Sequence, residues 1–223
     1  MATGYSPKIA TDGLVFYVDF ANSKSYGGSG STVADLTGNV GDGTVNGATF
    51  SSDNNGVFSF DGSNDQIAFP NSTALDNQNI TVIVWAKTDA TSQNGFWFEK
   101  GSVNTQYSLF QEGSNIVWRN HIGSGTHSQY TTTATYINTS DYFQVAGTFT
   151  SGTKTTYVNG TARTTQSLTA TISTNSGGIR IGSYITGGYF YNGNIASVAV
   201  FSKALTAAEI QQNYNALKGR FGL

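Results

Sequence analysis

Short apolar runs separated by glycine, asparagine and aspartate recur along the whole chain, and several alternate in period two. The run ITVIVWAKT at 80–88 shows the pattern best. In an extended chain Val82 and Val84 fall on one face, and Ile83 and Trp85 fall on the other. Because both faces are apolar, we expect this strand at the centre of a sheet that is covered on both sides. Many short strands joined by turns are typical of sandwiches and jelly rolls.

Other segments have the composition of strands. They are 14–20, 56–60, 66–69, 95–100, 106–111, 115–121, 142–150, 154–164, 178–184 and 193–201. Two Asn-Gly pairs, Asn159-Gly160 and Asn46-Gly47, each predict a tight hairpin, because these residues readily adopt the positive φ of a type I′ turn.

The C-terminal segment departs from the strand pattern. Thr206 and Glu209 form a T-x-x-E capping box, and Ile210, Tyr214 and Leu217 follow at helical spacing. The sequence therefore predicts one short helix after the last strand.

Composition narrows the functions that such a chain can have. Only 11% of the residues are charged and the net charge is −2, so nothing predicts a nucleic-acid or membrane surface. The chain has no cysteine and no N-terminal apolar segment of a secretory signal. We expect a single domain over residues 1–223, with its core at about 12–215, that is made in a cytoplasm.

Several segments, taken together and in this order, resemble the laminin-G-like (concanavalin A-like) jelly roll. They are DGLVFYVDF, DLTGN, GTVNGATF, FSFDGSNDQI, ITVIVWAK, YFQVAGTFTSGTKTTYVNG, IRIGSY and VAVFSKALTAAEIQQNYNAL. The resemblance implies an all-β fold in which two antiparallel sheets stack as a curved sandwich, with one short C-terminal helix. The Asn/Thr/Ser-rich style and the tail NYNALKGRFGL are similar to versions of this fold in tailed-phage virion proteins.

The side chains that catalysis would need are missing. Glycosidases of this fold carry E-x-D-x-x-E or E-x-D-x-E on a strand, because glycoside hydrolysis needs a pair of carboxyl groups. The three glutamates Glu99, Glu112 and Glu209 lie in no such pattern, and no serine lies in G-x-S-x-G. His121 and His127 flank a Gly/Ser-rich loop with no carboxylate or cysteine between them, which favours solvated histidines over metal ligands. We therefore expect a non-enzyme.

Asp61 and Asp65, in FDGSNDQI, could bind a metal or close a turn. Calcium takes about six to eight oxygen ligands. Relatives with a structural calcium use an acidic residue early in the last long strand, where this chain has Ala196. The favoured interpretation is a turn in which Asp61 bonds its own backbone, with no metal or other cofactor. A structural calcium held by Asp19, Asp35 or Asp61 stays open as the alternative.

Aromatic residues in loops are the remaining lead, because sugar sites combine flat rings with polar side chains. The candidate ligand-binding residues are Tyr184, Tyr189 and Tyr191 in the loop 183–194, and Trp118, Arg119 and Asn120 on the strand that leads into another Gly-rich loop. The alternative is that the tryptophans pack in the core and that one or two of these tyrosines pack on the edge of the sheet.

The sequence thus predicts a non-catalytic binding or adhesion protein on the surface of a phage particle, as a capsid or fibre decoration with lectin-like glycan binding. Its partners would be virion subunits, cell-surface or environmental glycans, or both, with no nucleic acid and no membrane. One alternative is a purely structural virion protein that contacts other subunits. Another is a carbohydrate-active enzyme module, which the missing carboxylates argue against. The sequence leaves open the glycan, the position on the virion and whether the chain forms a homo-oligomer.

Overall fold

Sixteen strands and one helix form in the residues that the computed structural model describes, which are 8–102, 105–122, 126–132 and 136–223, with the backbone alone at 126–131. The strands are β1 (Leu14–Asp19), β2 (Thr32–Val33), β3 (Gly43–Asn46), β4 (Thr49–Ser51), β5 (Val57–Asp61), β6 (Gln66–Phe69), β7 (Ile80–Thr88), β8 (Gln93–Gly101), β9 (Thr105–Gly113), β10 (Asn115–Ile122), β11 (Thr126–Thr131), β12 (Phe143–Thr150), β13 (Gly152–Val158), β14 (Thr161–Leu168), β15 (Ile179–Ile181) and β16 (Asn192–Phe201). The helix is α1 (Ala207–Leu217), and 3-10 turns lie at Asp53–Asn55, Thr73–Leu75 and Lys218–Phe221.

These strands form two antiparallel sheets that stack as a sandwich. Sheet A has the order β14-β13-β12-β7-β16-β5-β4, and β1 also pairs with β16. Sheet B has the order β11-β10-β9-β8-β15-β6-β3-β2. The predicted all-β jelly-roll sandwich with a short C-terminal helix is confirmed. No helix in the described ranges is long and apolar enough to cross a membrane.

The main core lies between the sheets. Val82 and Val84 on β7 face the side chains of sheet B, which include Trp97, Leu109 and Trp118, and all five are fully buried. Strand β7 contributes alternate residues to this layer, as the period-two pattern predicts.

The C-terminal segment covers the outer face of sheet A. Tyr214 of α1 and Phe221 stack on Trp85, with ring centroids 5.6 and 4.7 Å away. Ile210 of α1 packs in one apolar cluster with Ile83 of β7. Strand β7 is therefore central and covered on both sides, as predicted.

Two of the local predictions are also confirmed. The side chain of Thr206 accepts a hydrogen bond from the Glu209 amide, and the Glu209 carboxylate accepts one from the Thr206 amide, which forms the capping box of α1. Between β13 and β14, Asn159 and Gly160 have φ values of 50° and 76°, as a type I′ turn requires.

The hairpin predicted at Asn46-Gly47 is wrong. Strand β3 pairs with β6 in sheet B, whereas β4 pairs with β5 in sheet A, so this segment carries the chain from one sheet to the other. Gly47 has a φ of 82°, and a Cβ there would lie 2.0 Å from Oδ1 of Asp65. Glycine is required here because the Asp65 carboxylate lies against the backbone.

Asp61 and Asp65 close the turn between β5 and β6. Oδ1 of Asp61 accepts a hydrogen bond from the Ser63 amide at 2.8 Å, and Oδ2 of Asp65 accepts one from the Asp61 amide at 2.9 Å. The predicted role of Asp61 in a turn is confirmed.

Arg220 ties the C-terminal segment to the edge of sheet A. Its guanidinium donates to Oδ1 of Asp19 at 2.7 Å and to the backbone carbonyl oxygens of Asn54 and Gly56. Three oxygens thus surround one fixed positive charge, and oxygen ligands of this kind are what a hard cation such as calcium takes. Ala196 packs in the same apolar cluster as Phe221. Arg220 therefore supplies the positive charge beside Asp19.

Protein donors also engage the carboxylate of Asp35, the other candidate calcium ligand. It accepts hydrogen bonds from the backbone amides of Tyr17, Thr37, Asn39 and Val40. Within the described ranges, no three His, Cys, Asp or Glu side chains cluster as they would around a metal.

We expect Arg220→Ala to lower the stability by roughly 3 kcal/mol, because it leaves the Asp19 carboxylate and two carbonyl groups without their partner. In a chain of this size the melting temperature should fall by about 6–12 °C. A chelator should leave the wild-type melting temperature unchanged. Lys24→Ala, which removes an exposed charge, is the control. A chelator-dependent fall that calcium restores would contradict this account.

Candidate functional site

The outer face of sheet B carries a pocket of about 310 Å³. Its lining residues are Asn94 and Phe96 of β8, Phe110 and Glu112 of β9, Arg119 of β10, and Tyr184 and Tyr189 of the loop between β15 and β16. This volume lies at the lower end of the range of small-molecule sites, about 300–1,000 Å³.

Two phenylalanines form the floor of the pocket. Because Trp97 and Leu109 point into the core, their neighbours Phe96 and Phe110 point outward. Phe96 and Phe110 are opposite each other on adjacent strands, and their rings stack with centroids 4.3 Å apart and planes 5° from parallel. The floor is thus a platform of two rings that are stacked on each other and are each only 3% exposed.

Arg119 lies over this platform. Its guanidinium carbon is 4.7 Å from the centroid of Phe110 and 5.3 Å from that of Phe96. Its Nε donates to Oγ of Ser108 at 3.2 Å, and Nη2 donates to Oγ1 of Thr105 at 3.4 Å. Burial lowers the pKa of Arg119, but an arginine stays protonated in proteins. The pocket therefore contains a planar cationic donor held in one orientation.

Two tyrosines form the wall. The ring of Tyr184 is 5.2 Å from Phe96, and that of Tyr189 is 6.0 Å from Tyr184 and nearly perpendicular to it. Tyr189 is 59% exposed and has a φ of 50°. A left-handed conformation costs a non-glycine residue about 1–2 kcal/mol, and strain of this kind is concentrated at functional sites.

The rim is polar. Glu112 is exposed and lies opposite Asn94 on the neighbouring strand, and Oδ1 of Asn94 accepts a hydrogen bond from the Gly113 amide at 2.9 Å. Together with Arg119 and the tyrosine hydroxyls, the pocket offers donors and acceptors around an aromatic floor. This combination suits a ligand that has both apolar faces and hydroxyl groups.

A buried carboxylate lies beside the pocket. Oε2 of Glu99 accepts a hydrogen bond from the Ile185 amide at 2.6 Å, and Oε1 accepts one from Oγ1 of Thr105. Burial raises the pKa of Glu99 to about 7, although these hydrogen bonds and the charges of Arg119 and Arg180 act in the opposite direction.

Three of the six candidate residues, Arg119, Tyr184 and Tyr189, meet in the pocket, and their role in binding stays a prediction. The other three are fully buried, and the structure corrects their assignment.

Trp118 and Asn120 flank Arg119 on β10 and therefore face the core, where Nε1 of Trp118 donates to the Thr148 carbonyl at 3.1 Å. The ring of Tyr191 lies 6.4 Å from Phe60 and 6.1 Å from Trp97. All three are packing residues.

The expectation for His121 is also wrong. It lies within β10 and is 4% exposed, so it is not a solvated loop residue. The Gly/Ser-rich residues 123–125 and the side chain of His127 lie outside the described residues.

Comparison by sequence identifies a family. Residues 61–211 match the family model described as the concanavalin A-like lectin/glucanases superfamily. No curated protein matches the chain.

Solved structures share the fold at low sequence identity. The botulinum neurotoxin serotype D binding domain has a TM-score of 0.72 and 18% identity, over 91% of this chain and 51% of that chain. Domain 4 of a GH43 extracellular arabinanase from Geobacillus stearothermophilus, solved with arabinotriose, has a TM-score of 0.68 and 15% identity, over 90% and 98%. Trypanosoma rangeli sialidase, solved with sialic acid, has a TM-score of 0.67 and 16% identity, over 96% and 34%. This chain thus spans about half of the toxin binding domain and a third of the sialidase.

Tyr189 and Tyr191 should differ sharply when they are truncated. Tyr191→Ala removes a fully buried ring and should lower the stability by about 3–5 kcal/mol. Tyr189→Ala removes an exposed ring and should change the stability by less than about 1 kcal/mol. Denaturant unfolding of the two variants measures both values. Equal losses would show that Tyr189 is also a core residue.

Proposed function

Because the chain belongs to the concanavalin A-like lectin/glucanases superfamily, we propose that it binds carbohydrate in the pocket on the outer face of sheet B. The observation that carries the proposal is the position of Arg119, which is fixed by Thr105 and Ser108 over the rings of Phe96 and Phe110.

The two parts of this arrangement suit the two surfaces of a sugar. A sugar ring presents C–H groups on its faces, which pack on aromatic rings, and hydroxyl groups at its edge, which need hydrogen-bond partners. The exposed ring of Tyr189 supplies an aromatic face, the guanidinium over the two phenylalanine rings supplies donors, and the Glu112 carboxylate supplies acceptors on the rim. Since the tyrosine loop closes one side, the pocket suits the end or a short branch of a glycan.

The solved relatives support the same class of ligand. Two were crystallised with sugars, arabinotriose and sialic acid, and two others are the binding domains of botulinum neurotoxins. Their sequence identity to this chain is below 20%. They therefore support carbohydrate as the class of ligand, whereas the specific sugar has to be inferred from the residues of the pocket.

We also propose that the domain is non-catalytic. Glycoside hydrolysis needs two carboxyl groups across the scissile bond. Of the two carboxylates at the pocket, Glu112 is on the rim, whereas Glu99 is buried with both oxygens engaged by protein donors. This arrangement supports binding without bond cleavage.

The proposed setting is the surface of a phage particle, where the chain would decorate a capsid or fibre and contact glycans or neighbouring subunits after synthesis in the host cytoplasm. Its support is the Asn/Thr/Ser-rich sequence and the C-terminal segment NYNALKGRFGL.

A glycan array tests the binding function, followed by titration of the best-binding glycan. Arg119→Lys keeps the charge but loses the planar donor group, so we expect at least a 30-fold loss of affinity, about 2 kcal/mol. Arg163→Lys, on the exposed strand β14 of sheet A, is the matched control and should bind like the wild type. An array without binding would contradict the proposal and favour the purely structural virion protein. Equal binding by Arg119→Lys would place the site elsewhere.

Incubation with the same glycans, and with β-glucans and galactans, should release no reducing ends. A reducing-sugar assay over a day measures this. Turnover that Glu112→Gln abolishes would show that the rim carboxylate is catalytic and that the domain is an enzyme.

A further inference from the structure

We propose that Glu99 is the positioning residue of the pocket: one carboxylate oxygen holds the loop that carries Tyr184 and Tyr189, and the other holds the guanidinium of Arg119 through Thr105. The inference rests on the proposed function for calling the pocket a binding site. The contacts that carry it form without any ligand.

A β-bulge brings Glu99 to the pocket face. In a regular strand, residues 96 and 99 would point to opposite faces. The pairing of β8 with β9 is irregular between Phe96 and Phe98, so that Trp97 and Phe98 both lie in the main core. Glu99 therefore emerges on the same face as Phe96.

The first oxygen holds the tyrosine loop. Oε2 of Glu99 accepts a hydrogen bond from the amide of Ile185, the residue after Tyr184, at 2.6 Å. The only other backbone hydrogen bond that the described residues show between the pocket strand β8 and this part of the loop joins the Phe96 amide to the Tyr189 carbonyl at 3.3 Å. Bonds to an ionised acceptor are shorter and stronger than neutral ones. The Glu99 contact is thus the stronger of the two ties.

The loop needs such a tie because of its backbone conformation. Gly187, Gly188 and Tyr189 are consecutive residues with φ values of 84°, 87° and 50°. The two glycines adopt such angles without strain, whereas the tyrosine does so at a cost of about 1–2 kcal/mol. Hydrogen bonds within the loop, such as that from the Gly187 amide to the Tyr184 carbonyl, and contacts outside it offset this cost.

The second oxygen orients Arg119. The Thr105 hydroxyl donates its single proton to Oε1 of Glu99, which leaves its lone pairs as acceptors for Nη2 of Arg119 at 3.4 Å. The carboxylate therefore fixes the direction of the hydroxyl, and the hydroxyl helps to hold the guanidinium over Phe110. Both sides of the pocket depend on one buried group.

The burial of Glu99 makes this arrangement sensitive to pH, and the positive charges around it act against that effect. Arg119 of β10 and Arg180 of β15 face it with positive charge, Tyr184 of the loop lies beside Arg119, and β9 contributes the uncharged Thr105 and Ser108. Because burial raises the pKa of Glu99 to about 7, the carboxylate is ionised above that pH and protonated below it. While Glu99 stays buried, protonation makes one oxygen a donor and weakens the bond to Ile185, so this tie should loosen as the pH falls below about 7, whereas an opening that solvated Glu99 would be favoured above pH 7.

The test is a pH titration of the whole chain, without ligand, by ¹H–¹⁵N NMR and amide hydrogen exchange between pH 5 and 9. In the wild type we expect the Ile185 amide proton to move upfield as the pH falls, with a midpoint near 7. For openings that break this bond while Glu99 stays buried, exchange protection at Ile185, corrected for intrinsic rates, should fall by roughly five- to tenfold, since a bond to a charged acceptor becomes a neutral one. Glu99→Gln should abolish the midpoint. Glu112→Gln, the same change at the rim, should keep it.

A second variant tests the arginine contact and serves if Glu99→Gln does not fold. Thr105→Val should remove the titration from the Arg119 Nη2–H signal, which reports the bond to Thr105, and leave it at Ile185. An Ile185 amide that does not respond to pH in the wild type, or that titrates equally in Glu99→Gln, would overturn the proposal. An Arg119 signal that still titrates in Thr105→Val would overturn the relay through Thr105. A glycan array without binding would overturn the proposed function alone, because the titration uses no glycan.

Discussion

Tyr214 and Phe221 pack on Trp85, on the outer face of sheet A. The two sheets therefore differ in how much of their outer face is covered. This packing buries the outer face of sheet A, so that β7 contributes both of its faces to apolar layers. Arg220 holds this C-terminal segment in place through the Asp19 carboxylate and two carbonyl groups. Among the described residues no helix covers the outer face of sheet B, and there the stacked rings of Phe96 and Phe110 form the floor of the pocket.

The pocket on that face is ordered before any ligand arrives. Its arginine is fixed by two hydroxyl groups, and its tyrosine loop is tied by the Glu99 carboxylate. Ordering of side chains and loops is a large part of the free energy that binding normally consumes, so a pre-ordered pocket binds more tightly for the same contacts. This order has an energetic cost, because the fold buries the Glu99 carboxylate and burial raises its pKa to about 7.

Sequence patterns predicted the fold better than the site. The strands and turns depend on residues that are close together in the sequence, whereas the site depends on residues that are far apart in it. Alternation identified β7, and local turn chemistry identified Asn159-Gly160. The same chemistry failed at Asn46-Gly47, because the sheet that each flanking strand joins is decided by distant partners. Alternation on β10 could have separated the outward Arg119 from its buried neighbours. The Phe96–Phe110 pair and the bulge before Glu99 arise from cross-strand register, which no local pattern contains.

The most direct test of this account is a crystal structure of the chain soaked with the glycan that binds best on an array. The account predicts sugar density in the pocket beside Tyr184 and Tyr189, within hydrogen-bonding distance of the Arg119 guanidinium, with the tyrosine loop unchanged. Density on another surface, with this pocket holding only solvent, would contradict it.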